Sequence, residues 1–279
     1  MNEFFTAVMT KPFLQKALLA GLLSGLACGV TGTFVVIKRI AFISGGIAHA
    51  VMGGLGIAYF LGWNPLLGAL IFAVLSAFLI GLFKFRFSQN LDTLIGAFWA
   101  VGMAVGVIFI AITPGYKKDI SAFLFGNILM IDSATLMILA VLDGILLLIV
   151  AVFYRQFVYL AFDEEYSKIR GIRVTAVYLL LLSIVSVSVV ILLQTVGIIL
   201  VIALLTLPAA TAELFSRSVG KMIVMSTLIC LGAIFLGFLV SFGLSNLPTG
   251  AVIILISAAS YFFALLIKKI SVKLSRRNA

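Results

Sequence analysis

VTAVYLLLLSIVSVSVVILLQTVGIILVIALLTLPAATAE, residues 174–213, runs forty positions without a charge until Glu213. A hydrocarbon core about 30 Å thick is crossed by roughly 20 apolar residues in a helix, so this stretch holds two crossings. Gln194, just before Gly197, marks their division. Backbone amides in lipid must be satisfied within a helix or a closed barrel. The apolar/polar alternation of a barrel strand is absent from this sequence, so the crossings are helical.

The rest of the chain has the same texture. Of its 279 residues, 64% are hydrophobic and 10% charged, against roughly 25% charged in a soluble domain. Breaks at charges, Pro and Gly give nine candidate spans: 13–37, 41–62, 66–83, 91–113, 133–153, 174–193, 196–214, 222–243 and 250–267. An eight-span arrangement follows if one segment only dips into the bilayer. The expected fold is an all-α integral membrane protein, a single polytopic bundle of eight to nine helices over residues 1–279. Thr113–Asp119, with Pro114-Gly115, reads as a turn, and residues 121–127 as a short interfacial or re-entrant piece. The first apolar run follows Lys11 and Lys16 and leads straight into another span, so no cleavable signal peptide is expected. Cys28 and Cys230 lie in apolar runs and read as packing residues.

The net charge of +10 does not indicate nucleic acid, because the bases sit in short loops between apolar runs. Alternate loops divide them unevenly. Fifteen of the 19 lysines and arginines fall on the side of Lys38, Lys84, Arg155, Arg217 and the basic tail 268–279, and only Lys11, Lys16, Lys117 and Lys118 on the other. The positive-inside bias predicts a cytoplasmic C-terminus and, with nine spans, an outer N-terminus in a plasma (inner) membrane. Trp63 and Tyr116 then fall at outer boundaries, where interfacial aromatics belong.

One loop on the basic side is long enough to hold structure: RQFVYLAFDEEYSKIRGIR, residues 155–173. Asp163, Glu164 and Glu165 precede Lys168, Arg170 and Arg173, a charge order that suits a short helix stopped by Gly171. Glu164 and Lys168 stand at i and i+4. Such a helix is either a docking element or a solvated connector.

Glu164-Glu165-Tyr166…Gly171-Ile172 resembles the coupling helix of ABC importer permeases. GLLSGLACGVTGTFVVIKRIAFISGGIAHAVMGGLG (21–56) resembles the N-terminal signature of the zinc, manganese and iron permease family of ABC importers. DTLIGAFWAVGMAVGVIF (92–109), SAFLFGNIL (121–129), VGIILVIALLTLPAATAEL (196–214) and LPTGAVIIL (247–255) are similar to further blocks of that family, in its order. The resemblance implies a homodimeric permease of the type II architecture, shared with vitamin B12 and siderophore permeases. It further implies a cytoplasmic ATP-binding subunit docked through Asp163, Glu164, Glu165, Lys168 and Gly171, and an extracytoplasmic metal-binding protein. The chain itself would bind no cofactor; the divalent metal is cargo, and ATP is used by the partner.

His49 is the sole histidine, mid-span in the second run. Imidazole suits zinc, manganese and iron, and an intramembrane ionisable group is a candidate functional residue; a neutral histidine bonded across a helix interface is the alternative. The family pattern D-x-x-[SA]-H has its acid one turn earlier, where this chain has Gly45, and that loss favours zinc or iron over oxygen-preferring manganese. Met52, at i+3, is a soft ligand or a packing residue. Asp143, centred in AVLDGILLL, is either an oxygen ligand or a protonated acid bonding a neighbouring helix. Asp92 and Glu213, near helix ends on the basic side, suit a cation-attracting vestibule or a dock for the ATP-binding subunit, and Asp92 also suits an N-terminal helix dipole. Pro208 is expected to kink its helix, and Gly102 and Gly106 to favour tight packing.

Several other activities lack their residues. There is no Walker-type loop or H-E-x-x-H for ATP or zinc-protease chemistry, and no G-x-S-x-G for a serine hydrolase. The competing readings are a secondary metal transporter acting without an ATPase, and an ABC permease for a corrinoid or siderophore.

Overall fold

The computed structural model describes residues 2–86, 91–114, 128, 131–244 and 247–277. Among these residues all regular structure is helical. The helices are α1 (Asn2–Thr10), α2 (Pro12–Ile37), α3 (Ala41–Phe60), α4 (Pro65–Arg86), α5 (Leu91–Ile112), α6 (Ser133–Phe162), α7 (Glu164–Ile169), α8 (Val174–Val196), α9 (Ile198–Glu213), α10 (Val219–Gly243) and α11 (Thr249–Arg277). Most of the expected turn at 113–119, the short piece at 121–127, Tyr116, Lys117 and Lys118 lie outside the described residues.

Local signals set the helix starts. Pro12 and Pro65 open α2 and α4, where the missing N–H costs nothing. The Asp132 carboxylate accepts from the Thr135 amide to cap α6 (3.2 Å), and the Ser218 hydroxyl caps α10 through the Lys221 amide (3.4 Å).

Two elements run further than the sequence pattern predicts. The loop expected from Arg155 is helix as far as Phe162, making α6 30 residues long, and α11 continues through the basic tail to Arg277. Lys, Arg, Leu and Ala favour helix as readily in water as in lipid, and cations at a helix C-terminus are stabilised by its dipole. Falling hydropathy marks where the chain leaves lipid, not where the helix ends. α1 is also unforeseen. It holds Phe4 edge-on against Phe242 (5.4 Å between centroids) and Phe235 (6.2 Å) of α10.

Among the described residues, eight helices are long and apolar enough to cross a membrane. The ninth expected span, α9, has 16 residues, about 24 Å at 1.5 Å per residue. α8 and α9 are joined by Gly197 alone, at φ 84° and ψ 166°, a backbone conformation essentially restricted to glycine. The break lies three residues beyond Gln194. Ser24, midway along α2, donates to the Thr195 hydroxyl (2.7 Å) just before this turn. The turn therefore sits inside the bundle, with Val196 and Ile198 buried on either side. Irregular backbone at this depth survives because protein rather than lipid surrounds it.

α2, α3 and α8 form the interior, with 72, 78 and 72% of their central windows buried, whereas α5, α6 and α11 line the rim at 22% each. Gly21, Gly25 and Gly29 of α2 press against Ile234, Leu231 and Thr227 of α10, the small-residue contact that lets membrane helices approach closely. Cys28 and Cys230 are buried free thiols at the same seam.

Replacing Gly197 by Ala forces a Cβ into the glycine-only region. We expect the unfolding transition in detergent to lose about 1–3 kcal/mol; an unchanged transition would show the turn to be unstrained.

Candidate functional site

The glycines of α3 bring α5 into backbone contact. A Cβ on Gly102 would strike Ala50, one on Gly106 would strike the Met52 carbonyl, and one on Gly46 would strike Ile95. The expected packing role of Gly102 and Gly106 is therefore realised against α3. At this seam the His49 imidazole lies flat on the Trp99 indole, with ring centroids 3.9 Å apart and planes 8° from parallel. His49 is half-buried, and its Nδ1 is buried with no hydrogen-bond partner. Gly45, where the family pattern has an acid, faces Ile202 of α9. Met52 is buried in the core at 1% exposure.

Asp143 is also 1% exposed, and its Oδ1 has no hydrogen-bond partner. Its helix, α6, packs on α2 and α8, whereas α3 packs chiefly on α5 and α4. The two candidate ligands thus stand on helices that are not mutual neighbours. No group of three or more His, Cys, Asp or Glu side chains able to hold a metal occurs among the described residues. Asp92 is exposed in the first turn of α5 and Glu213 is exposed at the end of α9.

A second constellation forms at the basic end of the bundle. The Asp163 carboxylate caps α7 by accepting from the amides of Glu165 (2.8 Å) and Tyr166 (3.0 Å). Gly171, at φ 75°, ends it, its amide bonded to the Lys168 carbonyl (2.9 Å). The short helix and its glycine stop are as the sequence predicts. The partner of Glu164 is not. Its carboxylate receives Lys38 from the α2–α3 turn (2.7 Å) and Lys84 from the end of α4 (3.2 Å), rather than the expected Lys168. Lys84 also lies over the Tyr178 ring of α8 (3.9 Å). Two half-shielded cations bracket Glu164, while Lys168 points into solvent, where an i, i+4 pair contributes only a few tenths of a kcal/mol. Burial raises the Glu164 carboxyl, but the Lys38 hydrogen bond and the Lys84 charge together hold it below the ordinary glutamate range. The surface around α7 is open: Phe162 at the end of α6 and Tyr166 and Ile169 of α7 are exposed, Ile169 at 83%, beside exposed Asp163, Glu165, Lys168 and Gly171.

Lys38, Lys84 and Trp99 were missed as site residues. The lysines read as topology markers between spans, and their convergence on Glu164 depends on tertiary packing that no spacing encodes.

The sequence matches the ABC 3 transport family over residues 10–268. A membrane protein of Synechocystis sp. is 39% identical over 270 residues, covering 96% of this chain and 95% of that one. The manganese transport system membrane protein MntC of Listeria monocytogenes is 34% identical over 266 residues, covering 94% and 93%. The structure of PsaBC from Streptococcus pneumoniae in complex with Fab superposes with a TM-score of 0.89 at 30% identity, covering 98% of this chain and 99% of that one.

Because the folded pKa of Glu164 is depressed, its stabilising contribution is present above the ordinary glutamate value of about 4.3 and is lost as pH falls through the lower folded value. We expect Glu164→Gln to melt below the parent near neutrality, with the two curves converging in acid. A gap independent of pH would exclude the ion pairs as its source. The reciprocal exchange Lys38→Glu with Glu164→Lys should recover part of what each single reversal loses.

Proposed function

This chain belongs to the ABC 3 transport family, and on that premise we propose that it is the membrane-spanning permease of an ABC importer for a divalent transition metal. The observation that carries the reading is the short, capped α7, held by Glu164 against α2 and α4 while its outer face is left open. A chain without a nucleotide loop draws ATP energy only through a partner, and α7 offers that partner a rigid, solvent-facing platform. Phe162, Tyr166 and Ile169 supply its apolar contact, with Asp163, Glu165, Lys168 and Gly171 around them. Glu164 serves from within, tying the platform to the bundle.

The proposed assembly is a homodimer with two ATP-binding subunits on the cytoplasmic side and a metal-binding protein delivering cargo outside. In this reading the basic end of the bundle is cytoplasmic and the N-terminus lies outside. Manganese is the first cargo to test, since the Listeria relative is named for it. The donor set argues for zinc or iron, because a single imidazole without an adjacent carboxylate suits a softer ion. His49 lines the proposed path, and symmetry would bring two copies to it. Asp143 is an accessory oxygen donor along the bundle, Met52 a packing neighbour of His49, and Asp92 and Glu213 cation-attracting acids at the cytoplasmic mouth.

The deciding measurement is uptake of radiolabelled manganese, zinc and iron by proteoliposomes, with and without the ATP-binding subunit, binding protein and ATP. Uptake restricted to the complete ATP-fuelled system supports the importer and identifies the cargo; uptake by this chain alone would establish a secondary transporter. His49→Ala should reduce metal uptake by about an order of magnitude or more at normal expression, at least what loss of a ligand's outer-shell partner costs. Ile169→Asp should leave the fold intact yet abolish co-purification of the ATP-binding subunit, and unimpaired co-purification would move the dock elsewhere.

A further inference from the structure

A metal-binding histidine must be held in one ring orientation, because the lone pair of its unprotonated nitrogen lies in the ring plane and a rotated imidazole presents its π face instead. Rotation about the Cβ–Cγ bond is intrinsically soft. In most protein sites it is fixed by the second ring nitrogen, which donates to a carboxylate, a carbonyl or water. At His49 that device is missing: Nδ1 is buried and has no hydrogen-bond partner. The Trp99 indole instead stacks face to face on the imidazole, 8° from parallel at a centroid separation of 3.9 Å.

We propose that Trp99 is a positioning residue for His49, fixing the plane of the imidazole by stacking and so presenting its nitrogen edge to a divalent transition metal. The proposal rests on the reading of His49 as an ion-path residue and deepens it. A stacked ring suits the task because it covers one π face and leaves the in-plane nitrogen edge, with its ligating lone pair, unobstructed. The contact also strengthens when cargo arrives, since metal ligation draws electron density from the imidazole and an electron-poor ring is attracted more strongly to the electron-rich indole face.

The backbone explains how two rings reach this distance. His49 lies between Gly46 and Gly53 on α3, and Trp99 between Ile95 and Gly102 on α5. Gly46 meets Ile95, and Gly53 meets the Gly102 carbonyl. The seam thus closes tightly both above and below the stack, and sliding or rotation of α5 against α3 would misalign the rings. Trp99 is the part of α5 through which movement of that rim helix would alter the presentation of the ligand.

The test uses the complete importer in proteoliposomes, with Mn²⁺ as probe and uptake measured against concentration. Trp99→Leu is expected to raise the half-saturating Mn²⁺ concentration about tenfold with little change in maximal rate, the size of effect seen when a ligand's orienting partner is removed. Trp99→Phe, which keeps a flat ring, should recover most of that loss. A second arm uses this full-length chain without its partner subunits and leaves Trp99 in place. With Trp63, the other tryptophan, changed to Phe, added Mn²⁺ should quench the remaining emission, and His49→Ala in that background should abolish the response.

A wild-type half-saturation in Trp99→Leu, alongside a raised value in His49→Ala, would overturn the role of Trp99 and leave His49 standing. Quenching that survives His49→Ala would mean that the metal near Trp99 is held without His49, and would overturn the positioning role. If His49→Ala itself transports normally, the path reading fails and the positioning role fails with it.

Discussion

Close backbone approach between α3 and α5 is the constraint on which the candidate site depends. In lipid, helices gain nothing from hiding apolar surface from one another, so association relies on dispersion contacts between well-fitted surfaces. Glycine at positions 46, 53, 102 and 106 brings the two helix axes close enough for aromatic rings on facing positions to stack. α3 is among the most buried helices and α5 among the least. The seam therefore joins the fixed interior to a helix whose other face is free, and His49 sits at that boundary.

The opposite need, transmission rather than fixation, is met at the basic end. Glu164 of α7 gathers charges from the α2–α3 turn and from α4, and Lys84 extends the link to Tyr178 on α8. An exposed ion pair contributes little to stability. This one is half-shielded and shared between two lysines, which favours a geometric role: it fixes the distance from α7 to the α2–α3 turn and to the end of α4. In the proposed importer, a push on the outer face of α7 reaches the start of α3 through Lys38, and from there the helix that carries His49.

Much of this was legible in the sequence. Long apolar runs with few charges gave the helical membrane class and the positions of nine helices, and the family blocks held up as membership of the ABC 3 transport family. Helix ends were less legible where the chain leaves lipid, as in α6 and α11, because hydropathy reports the solvent and helix propensity does not change with it. The Asp163 cap and Gly171 stop were readable, since both are local backbone chemistry. Glu164 was assigned to Lys168 because spacing sees only its own helix, whereas Lys38 and Lys84 arrive from 126 and 80 residues away. Trp99 left no periodic or charge signature at all; it is one aromatic in a run of apolar residues, and its significance lies in what faces it.

The Gly197 turn bears on how the chain enters the membrane. A 16-residue apolar segment is too short to be recognised as a crossing by itself, and its leading end has no aqueous surface to reach. α8 and α9 are therefore best delivered together, as a hairpin whose buried bend is shielded only once Ser24 of α2 stands beside Thr195. Biogenesis of the C-terminal half thus depends on a docking face made from the N-terminal half, so that order of synthesis becomes order of assembly.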